Sequence, residues 1–507
     1  MRQASAAFAS ALDAAPDNEI VAAQALSHAV IGGDWALAVR AARITERRGA
    51  VMPDARFLLL ADAVRERDWA RARAQIDAIE RERLFAFAAP VLRAWVAVGE
   101  GQGDPVALLP AGGATDPLVA SYVNEQRPLL LVAARRPEAP EAARVMPSAG
   151  PRAQRLRLAA AATLAKRGDR ANALSLIQGD AAPLRAARRT IEAGHSLPGA
   201  VDDPRTGIAE ILIRIALDLN GQQVGAVAAT FAHLATWLAP DNGVAWMVAA
   251  ELANQEERRD SAVAMLANVP TDDPFADMVR DQRIRLLVAG GGEEALRAAQ
   301  AAANDSVATA ADQVRLGEVL MAMGRHRDAA AAFNLAIETR ARTGEGTTPE
   351  WTLWLLAGGA HEEAGDWPQG RAALQRAYQL APNEPLVLNY LGYAQLERRE
   401  NLEEAERLVR EAHRLAPDNA AITDSLGWAL FLRGQREEGL ALLERAAQAS
   451  PADVEINEHL GDAYYSLGRR SDARFAWAAA RVHAEGADAA RLDSKIERGL
   501  TPQLAAR

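Results

Sequence analysis

Apolar and polar residues alternate along most of this chain with the spacing of amphipathic α-helices. Apolar residues recur at steps of three and four positions, and charged residues occupy the positions between them. In the C-terminal third, glycines interrupt this pattern at a regular interval, because Gly392, Gly427 and Gly461 are separated by 35 and 34 residues. The pattern therefore predicts helices arranged in repeating pairs.

Two further sets of residues keep the same period. Prolines recur at Pro382, Pro417 and Pro451, and alanines recur at Ala377, Ala412, Ala446 and Ala480. A small residue lets two helix backbones approach closely where they cross, and proline follows a helix that it cannot continue. Because one helix pair has too little core to be stable alone, neighbouring pairs must stack.

These residues resemble the tetratricopeptide repeat, with its period of about 34 residues and its small–small–proline signature. The resemblance is strongest in four consecutive units, 351–384, 385–419, 420–453 and 454–487. Gly370 and Gly439 depart from the pattern, since alanine is usual at their positions. The resemblance implies an all-α fold: a right-handed α-solenoid (superhelix) of antiparallel helix pairs, closed by a C-terminal capping helix.

The same marks continue upstream with less regularity. We predict four regions in chain order: an N-terminal helical region with degenerate helix pairs (1–204), central repeats (205–343), well-formed C-terminal repeats (351–487), and a capping helix with a tail (488–507). The proline-rich stretch 135–151 and the stretch 194–205 are predicted loops. Residues 1–20 resemble the second helix of a repeat, so we expect the chain to begin within a repeat unit.

Composition narrows the classes of function. The 507-residue chain has a formal net charge of −10 and contains no cysteine. The acidic balance provides no bulk positive field for phosphate backbones or anionic membrane surfaces. The absence of cysteine excludes disulfides, thiolate metal sites and cysteine nucleophiles.

Residues that could carry catalysis or bind cofactors form no recognisable motif. The glycine-rich stretches 99–104 and 289–294 fall where turns are expected. His361-Glu362-Glu363 is a close cluster of histidine and carboxylate residues, which we interpret as a solvated helix end. We therefore predict no catalytic residue, no cofactor and no metal site, and we expect that the protein is not an enzyme.

In tetratricopeptide proteins, the first helix of each pair lines a concave groove that binds partner peptides or helices. The resemblance assigns acidic and aromatic residues to this groove: Asn389, Tyr390, Tyr393, Asp424, Trp428, Glu455, Glu458, Asp462 and Tyr465. These positions include four carboxylates and no lysine or arginine, which favours a partner segment with basic and apolar residues. The alternative interpretation is that Tyr393 and Trp428 pack between neighbouring repeats and that the carboxylates are solvated.

The resemblance implies a non-catalytic scaffold or adaptor that binds protein partners. The C-terminal units also resemble bacterial tetratricopeptide proteins of the cell envelope, which implies a role in envelope assembly. We expect a periplasmic location if a signal segment is missing from this chain, and a cytoplasmic location otherwise. Two alternatives stay open: an RNA-binding helical-repeat protein, and an enzyme in the N-terminal region.

Overall fold

A computed structural model describes residues 2–49, 52–83, 85–101, 103–110, 116–147, 150–288, 292–305, 308–344, 348–501 and 504. Regular secondary structure in these ranges is entirely helical, which confirms the prediction of an all-α helical-repeat solenoid. The chain forms two compact units, residues 1–291 and 292–507. Within the described ranges, no helix combines the length and the apolar character that crossing a membrane requires.

The helices of the N-terminal unit come mostly in consecutive pairs. In chain order they are α1 (Arg2–Ala14), α2 (Glu19–Gly32), α3 (Trp35–Arg47), α4 (Pro53–Arg65), α5 (Trp69–Glu82), α6 (Ala89–Glu100), α7 (Pro117–Ala133), α8 (Ala139–Arg144), α9 (Pro151–Lys166), α10 (Arg170–Leu176), α11 (Ala182–Glu192), α12 (Pro204–Gly221), α13 (Gly225–Leu238), α14 (Gly243–Gln255), α15 (Arg259–Leu266) and α16 (Ala276–Val288). The pairs α2–α3, α4–α5, α12–α13 and α14–α15 each pack closely along their length.

The short turns of the pairs α2–α3 and α4–α5 each contain a helix-ending residue followed by a capping aspartate. Gly33 ends α2 with a φ of 71°, a left-handed conformation that glycine adopts without steric cost. The Asp34 carboxylate then accepts a hydrogen bond from the backbone N–H of Leu37 in the first turn of α3. Asp68 caps α5 in the same way. The turn residues thus reverse the chain within a few positions and bring the paired helices together.

The predicted loop at 135–151 is wrong in part, because residues 139–144 form α8 and α9 begins at Pro151. Pro140 and Pro151 lie in the first turns of these helices, where a missing N–H removes no helical hydrogen bond. The predicted loop before α12 is non-helical up to residue 203. Of the glycine-rich stretches, residues 102 and 289–291 lie outside the described residues.

The pair α12–α13 packs against helices that are distant in sequence. Helix α13 contacts α2 and α4, and α12 contacts α4, α6 and α7. The Phe231 ring on α13 meets the rings of Phe57 and Phe85 with centroids 5.0 and 5.1 Å away. We call the side of α2, α4 and α6 that meets α12–α13 the inner face. Residues of the same chain fill this face.

A buried ionic network attaches α12 to α9. Glu210 is fully buried and accepts hydrogen bonds from the guanidinium groups of Arg152, at 2.6 Å, and Arg155, at 2.7 Å. Burial by itself would raise the pKa of Glu210, but the two guanidinium charges lower it to about 2. The carboxylate is therefore ionised in the folded unit, and its charge is balanced by residues more than fifty positions away.

The C-terminal unit is a row of helix pairs. Its helices are α17 (Glu293–Ala303), α18 (Ala310–Ala322), α19 (His326–Thr343), α20 (Glu350–Glu363), α21 (Trp367–Leu380), α22 (Pro385–Glu397), α23 (Leu402–Leu415), α24 (Ala420–Leu432), α25 (Arg436–Ala449), α26 (Val454–Ser466), α27 (Arg470–His483) and α28 (Gly486–Arg498). Helix α28 packs on α27 at the end of the row. The predicted central region 205–343 is divided between the two units, since its helices up to residue 288 belong to the N-terminal unit.

A close contact between two glycines explains why glycine, and not the usual alanine, occupies position 439. A Cβ atom on Gly439 would lie 2.7 Å from the carbonyl oxygen of Gly427, and one on Gly427 would lie 3.0 Å from that of Gly439. Helices α24 and α25 therefore cross with their backbones in direct contact, and even alanine would push them apart.

Candidate interaction surface of the C-terminal unit

The nine residues predicted to line the groove lie on three first helices of consecutive pairs. Helix α22 carries Asn389, Tyr390 and Tyr393, helix α24 carries Asp424 and Trp428, and helix α26 carries Glu455, Glu458, Asp462 and Tyr465. Helix α24 contacts both α22 and α26. The structure therefore places these residues on adjacent helices, and their exposure divides them into a buried set and an accessible set.

A chain of hydrogen bonds links the three helices through His459, a buried residue that the sequence analysis missed. Its Nδ1 lies 2.7 Å from Oδ2 of Asp424, and its Nε2 lies 3.3 Å from the Tyr393 hydroxyl oxygen. The Tyr393 hydroxyl donates in turn to Oε1 of Glu455 at 2.6 Å. The imidazole also stacks on the Trp428 ring, with centroids 4.5 Å apart.

The charge of His459 follows from its neighbours. Burial alone would lower its pKa, but the carboxylates of Asp424, Glu455 and Asp462 raise it to about 9. The imidazole is thus doubly protonated at neutral pH, and both of its ring nitrogens donate. This fixes the direction of the chain: His459 donates to Asp424 and to Tyr393, and Tyr393 donates to Glu455.

The carboxylates of Glu458 and Asp462 are neutralised by the capping helix α28. The Lys495 ammonium is fully buried and lies 2.6 Å from Oε1 of Glu458 and 2.8 Å from both carboxylate oxygens of Asp462. Arg491 adds two hydrogen bonds to Glu458, and the Trp477 indole N–H donates to Asp462. The predicted capping helix therefore also carries the counter-charges of this buried cluster.

These contacts change the interpretation of the predicted groove. Asp424, Trp428, Glu458 and Asp462 are all buried, and their side chains engage residues of the same chain. Tyr393 and Trp428 pack between neighbouring repeats, as in the alternative interpretation. The same interpretation also predicted solvated carboxylates. This prediction is wrong for Asp424, Glu458 and Asp462, which are buried.

The accessible part of the set is centred on Tyr390, which is 37% exposed. Burial of the rest of its side chain raises its pKa, and so do the nearby carboxylates of Glu362, Glu363, Glu397 and Glu455. Glu363 and Glu455 are exposed, and Asn389 and Tyr393 are half-buried beside them. We call Tyr390, Glu363, Glu397 and Glu455 the Tyr390 surface.

Glu363 and Glu397 were not predicted as groove residues, although the repeat period points to them. They occupy the same position of consecutive units, at the C-terminal ends of α20 and α22, one repeat period apart. Tyr465, in contrast, lies at the far end of the row. Its ring is tilted against Trp477, and a Cβ on Gly499 would lie 2.3 Å from its hydroxyl.

The interpretation of His361-Glu362-Glu363 as a solvated helix end is wrong for its first two residues. His361 is half-buried, and its Nε2 lies 3.1 Å from Nδ2 of Asn334. Glu362 pairs with Arg398, and burial raises the pKa of Glu362 to about 7 against the effect of that positive charge. Within the described ranges, histidine and carboxylate side chains form no cluster suited to a metal ion.

Comparison with known proteins identifies the repeats. The fold defines a helical-repeat protein of the kind that presents successive helix faces to other proteins. A family model described as tetratricopeptide repeat matches residues 314–385 and 355–420. Residues 314–420 therefore match the tetratricopeptide repeat, in agreement with the sequence pattern.

A curated relative, a TPR repeat-containing protein of Pseudomonas aeruginosa, is 35% identical over 101 residues. That match covers 20% of this chain and 17% of the relative. Three solved structures are similar in fold. A thermophilic TPR protein of Thermus thermophilus has 22% identity and a TM-score of 0.33, and the match covers 37% of this chain and 100% of that chain. MamA from Desulfovibrio magneticus (16% identity, TM-score 0.28, covering 34% and 94%) and YrrB, a TPR protein with an unusual peptide-binding site (15%, 0.27, 37% and 93%), are also similar.

Proposed function

We propose that this protein is a non-catalytic adaptor whose C-terminal unit binds a basic and partly apolar segment of a partner protein at the Tyr390 surface. The tetratricopeptide fold supports a protein-interaction scaffold in general terms. The observation that carries the finer proposal is the exposed Tyr390 ring within reach of four carboxylate charges.

The chemistry of the surface selects the partner. An exposed tyrosine ring offers its face to a guanidinium or ammonium group and its edge to an apolar side chain. Glu363 and Glu455 supply charge-assisted hydrogen bonds to the same cation. Arg398 balances the charge of Glu362 and lies 3.6 Å from that of Glu397, so the negative field centres on Glu363 and Glu455.

The location of the binding surface differs from the one expected from sequence. The carboxylates of Asp424, Glu458 and Asp462 are buried and bonded to residues of the same chain, so a ligand cannot reach them. The surface that we propose therefore consists mostly of residues of α20 and α22, with Glu455 as its one residue from α26. The resemblance to envelope proteins supports, as part of this proposal, a role in assembling the bacterial cell envelope.

The proposal is tested by quantitative recovery of partners from the native source with wild type and with Tyr390→Ser/Glu363→Arg. We expect the variant to lose basic partners, and we expect wild-type binding to weaken as salt rises, because exposed charge pairs are screened. The matched control is Glu437→Arg, since Glu437 is also exposed but lies on α25, a second helix.

Equal recovery of the same partners by wild type and by Tyr390→Ser/Glu363→Arg would show that the Tyr390 surface does not bind them. Equal losses with Glu437→Arg would indicate that overall charge, and not this surface, determines binding.

A further inference from the structure

A pocket of about 550 Å³ lies within the N-terminal unit, where α13, α14 and α15 meet the ends of α2 and α4. It is separate from the Tyr390 surface, and it exists because α13 packs across α2 and α4. A volume of this size is typical of pockets that enclose small organic molecules.

Three half-buried tryptophans form the walls of the pocket. Trp35 and Trp237 stack on each other with ring centroids 4.7 Å apart and an angle of 12° between their planes. Trp246 is held by a hydrogen bond of 2.8 Å from its indole N–H to the carbonyl oxygen of Pro240. Because Trp35 and the Arg65 guanidinium cover the Trp237 ring, an apolar ligand packs against the remaining surfaces of Trp35 and Trp246, where it gains burial and aromatic contact.

A buried histidine adds a polar group to the lining. His233 is 5% exposed, and its Nε2 has no hydrogen-bond partner among the described residues. Burial, together with the charge of Arg258, lowers its pKa to about 4. The imidazole is therefore neutral at physiological pH, so it adds no charge to the lining.

The charge at the pocket comes from Arg65. Its guanidinium lies over the Trp237 ring, 4.8 Å from the centroid, and donates one hydrogen bond of 2.8 Å to the Trp237 carbonyl oxygen. No carboxylate of the described residues lies within ion-pair distance of it. A guanidinium has five N–H donors, so most of its donors are still available for an anion.

We propose that this pocket binds a small aromatic carboxylate. The ring of the ligand lies against Trp35 and Trp246, and its carboxylate pairs with Arg65. Aromatic pockets also bind ammonium ligands in other proteins, but here the positive charge of Arg65 opposes a cation. The proposal is independent of partner binding at the Tyr390 surface.

Isothermal titration calorimetry of the full chain tests the proposal with indole-3-acetate, phenylacetate and 2-naphthoate as probes. We expect at least one of them to bind, and we expect the uncharged amide of that probe to bind about tenfold or more weakly, because it loses a charge-assisted hydrogen bond. Arg65→Gln should weaken the carboxylate by a similar factor and leave the amide unchanged.

Two further variants distinguish binding in the pocket from non-specific binding. Trp246→Leu should abolish binding while circular dichroism shows that the helical content is retained. Arg189→Gln is the matched charge control, because Arg189 is exposed on α11, outside the pocket. The proposal is overturned if none of the three probes binds in the millimolar range, if acid and amide bind equally, or if Arg189→Gln weakens binding as much as Arg65→Gln.

Discussion

Trp237 stacks on Trp35, and this contact joins α13 to the α2–α3 pair across most of the sequence of the N-terminal unit. The guanidinium of Arg65 on α4 covers the Trp237 ring and also binds its backbone carbonyl. The inner face of α2, α4 and α6 is therefore occupied by the chain's own α12–α13 pair. A partner that binds the N-terminal unit must use other surfaces, such as the helix ends and the outer helices.

Replacing Phe231 with alanine tests whether α13 stabilises these distant helices. Phe231 is fully buried against Phe57 and Phe85, so we expect its loss to cost about 3–5 kcal/mol. Hydrogen exchange measured by mass spectrometry should show reduced protection in residues 19–32 and 53–65 as well as in α13. The exposed Val224 provides the control, since Val224→Ala should change protection little. If protection decreases only in α13, α13 does not stabilise α2 and α4.

A close approach between α12 and α6 gives a second test, on the other helix of the α12–α13 pair. A Cβ atom on Gly207 would lie 2.1 Å from the Trp95 ring, which is itself fully buried and donates to Gln126. Gly207→Ala should therefore destabilise the N-terminal unit by about 1–3 kcal/mol or more through overpacking.

Gly221 is the matched control for this experiment. It lies at the other end of α12, and an added Cβ meets no atom there. Gly221→Ala should be neutral or stabilise the helix by up to about 1 kcal/mol, because alanine is the better helix former. Thermal unfolding followed by circular dichroism distinguishes the two variants. Equal melting temperatures would show that α12 does not approach α6 as closely as the structure indicates.

The two lysines of the chain offer a direct comparison of a buried and an exposed ion pair. Lys495→Met leaves Glu458 and Asp462 buried with one counter-charge fewer, so we expect a loss of about 3–5 kcal/mol in the C-terminal unit. Lys166 is 59% exposed and pairs with Asp202, so Lys166→Met should cost about 0–1 kcal/mol. Urea unfolding measures both. A similar small effect for the two variants would show that Lys495 is not the buried counter-ion of this cluster.

The interaction between His459 and Asp424 predicts a dependence of stability on pH. The folded pKa of His459 is raised from 6.5 to about 9, so its contribution is fully present below pH 6.5 and is lost as pH rises through 9. Asp424→Asn removes the carboxylate charge that raises the pKa of His459 most, so we expect the pKa of His459 to fall. Nuclear magnetic resonance titration of the His459 ring measures this change directly.

Stability curves of the same variant provide an independent check. Wild type should lose stability between about pH 7 and 10, and Asp424→Asn should lack this part of the dependence. Asp418→Asn serves as the control, because Asp418 is exposed in the turn before α24. If Asp424→Asn leaves the titration of His459 unchanged, Asp424 does not determine the charge of this histidine.

The candidate surface shows how far position in a repeat predicts the role of a residue. The period correctly placed Tyr390 and Glu455 on first helices, and both are accessible. It also placed Glu458 and Asp462 there, but α28 covers them with Lys495 and Arg491. His459 was missed, because its neighbours Asp424 and Tyr393 belong to other repeats and become apparent only when the helices stack.

The sequence by itself determined the all-α fold, the repeat period and the capping helix at 488–498, and it marked many of the turns. These features depend on local physics: the three- and four-residue spacing of apolar positions, and residues such as Gly33 and Asp34 that end and begin helices within a few positions. Tertiary structure alone decided that α12–α13 fills the inner face of the N-terminal unit and that Lys495 neutralises two acids. Those contacts join residues that are far apart in the chain, and a local periodicity carries no information about which distant faces will meet.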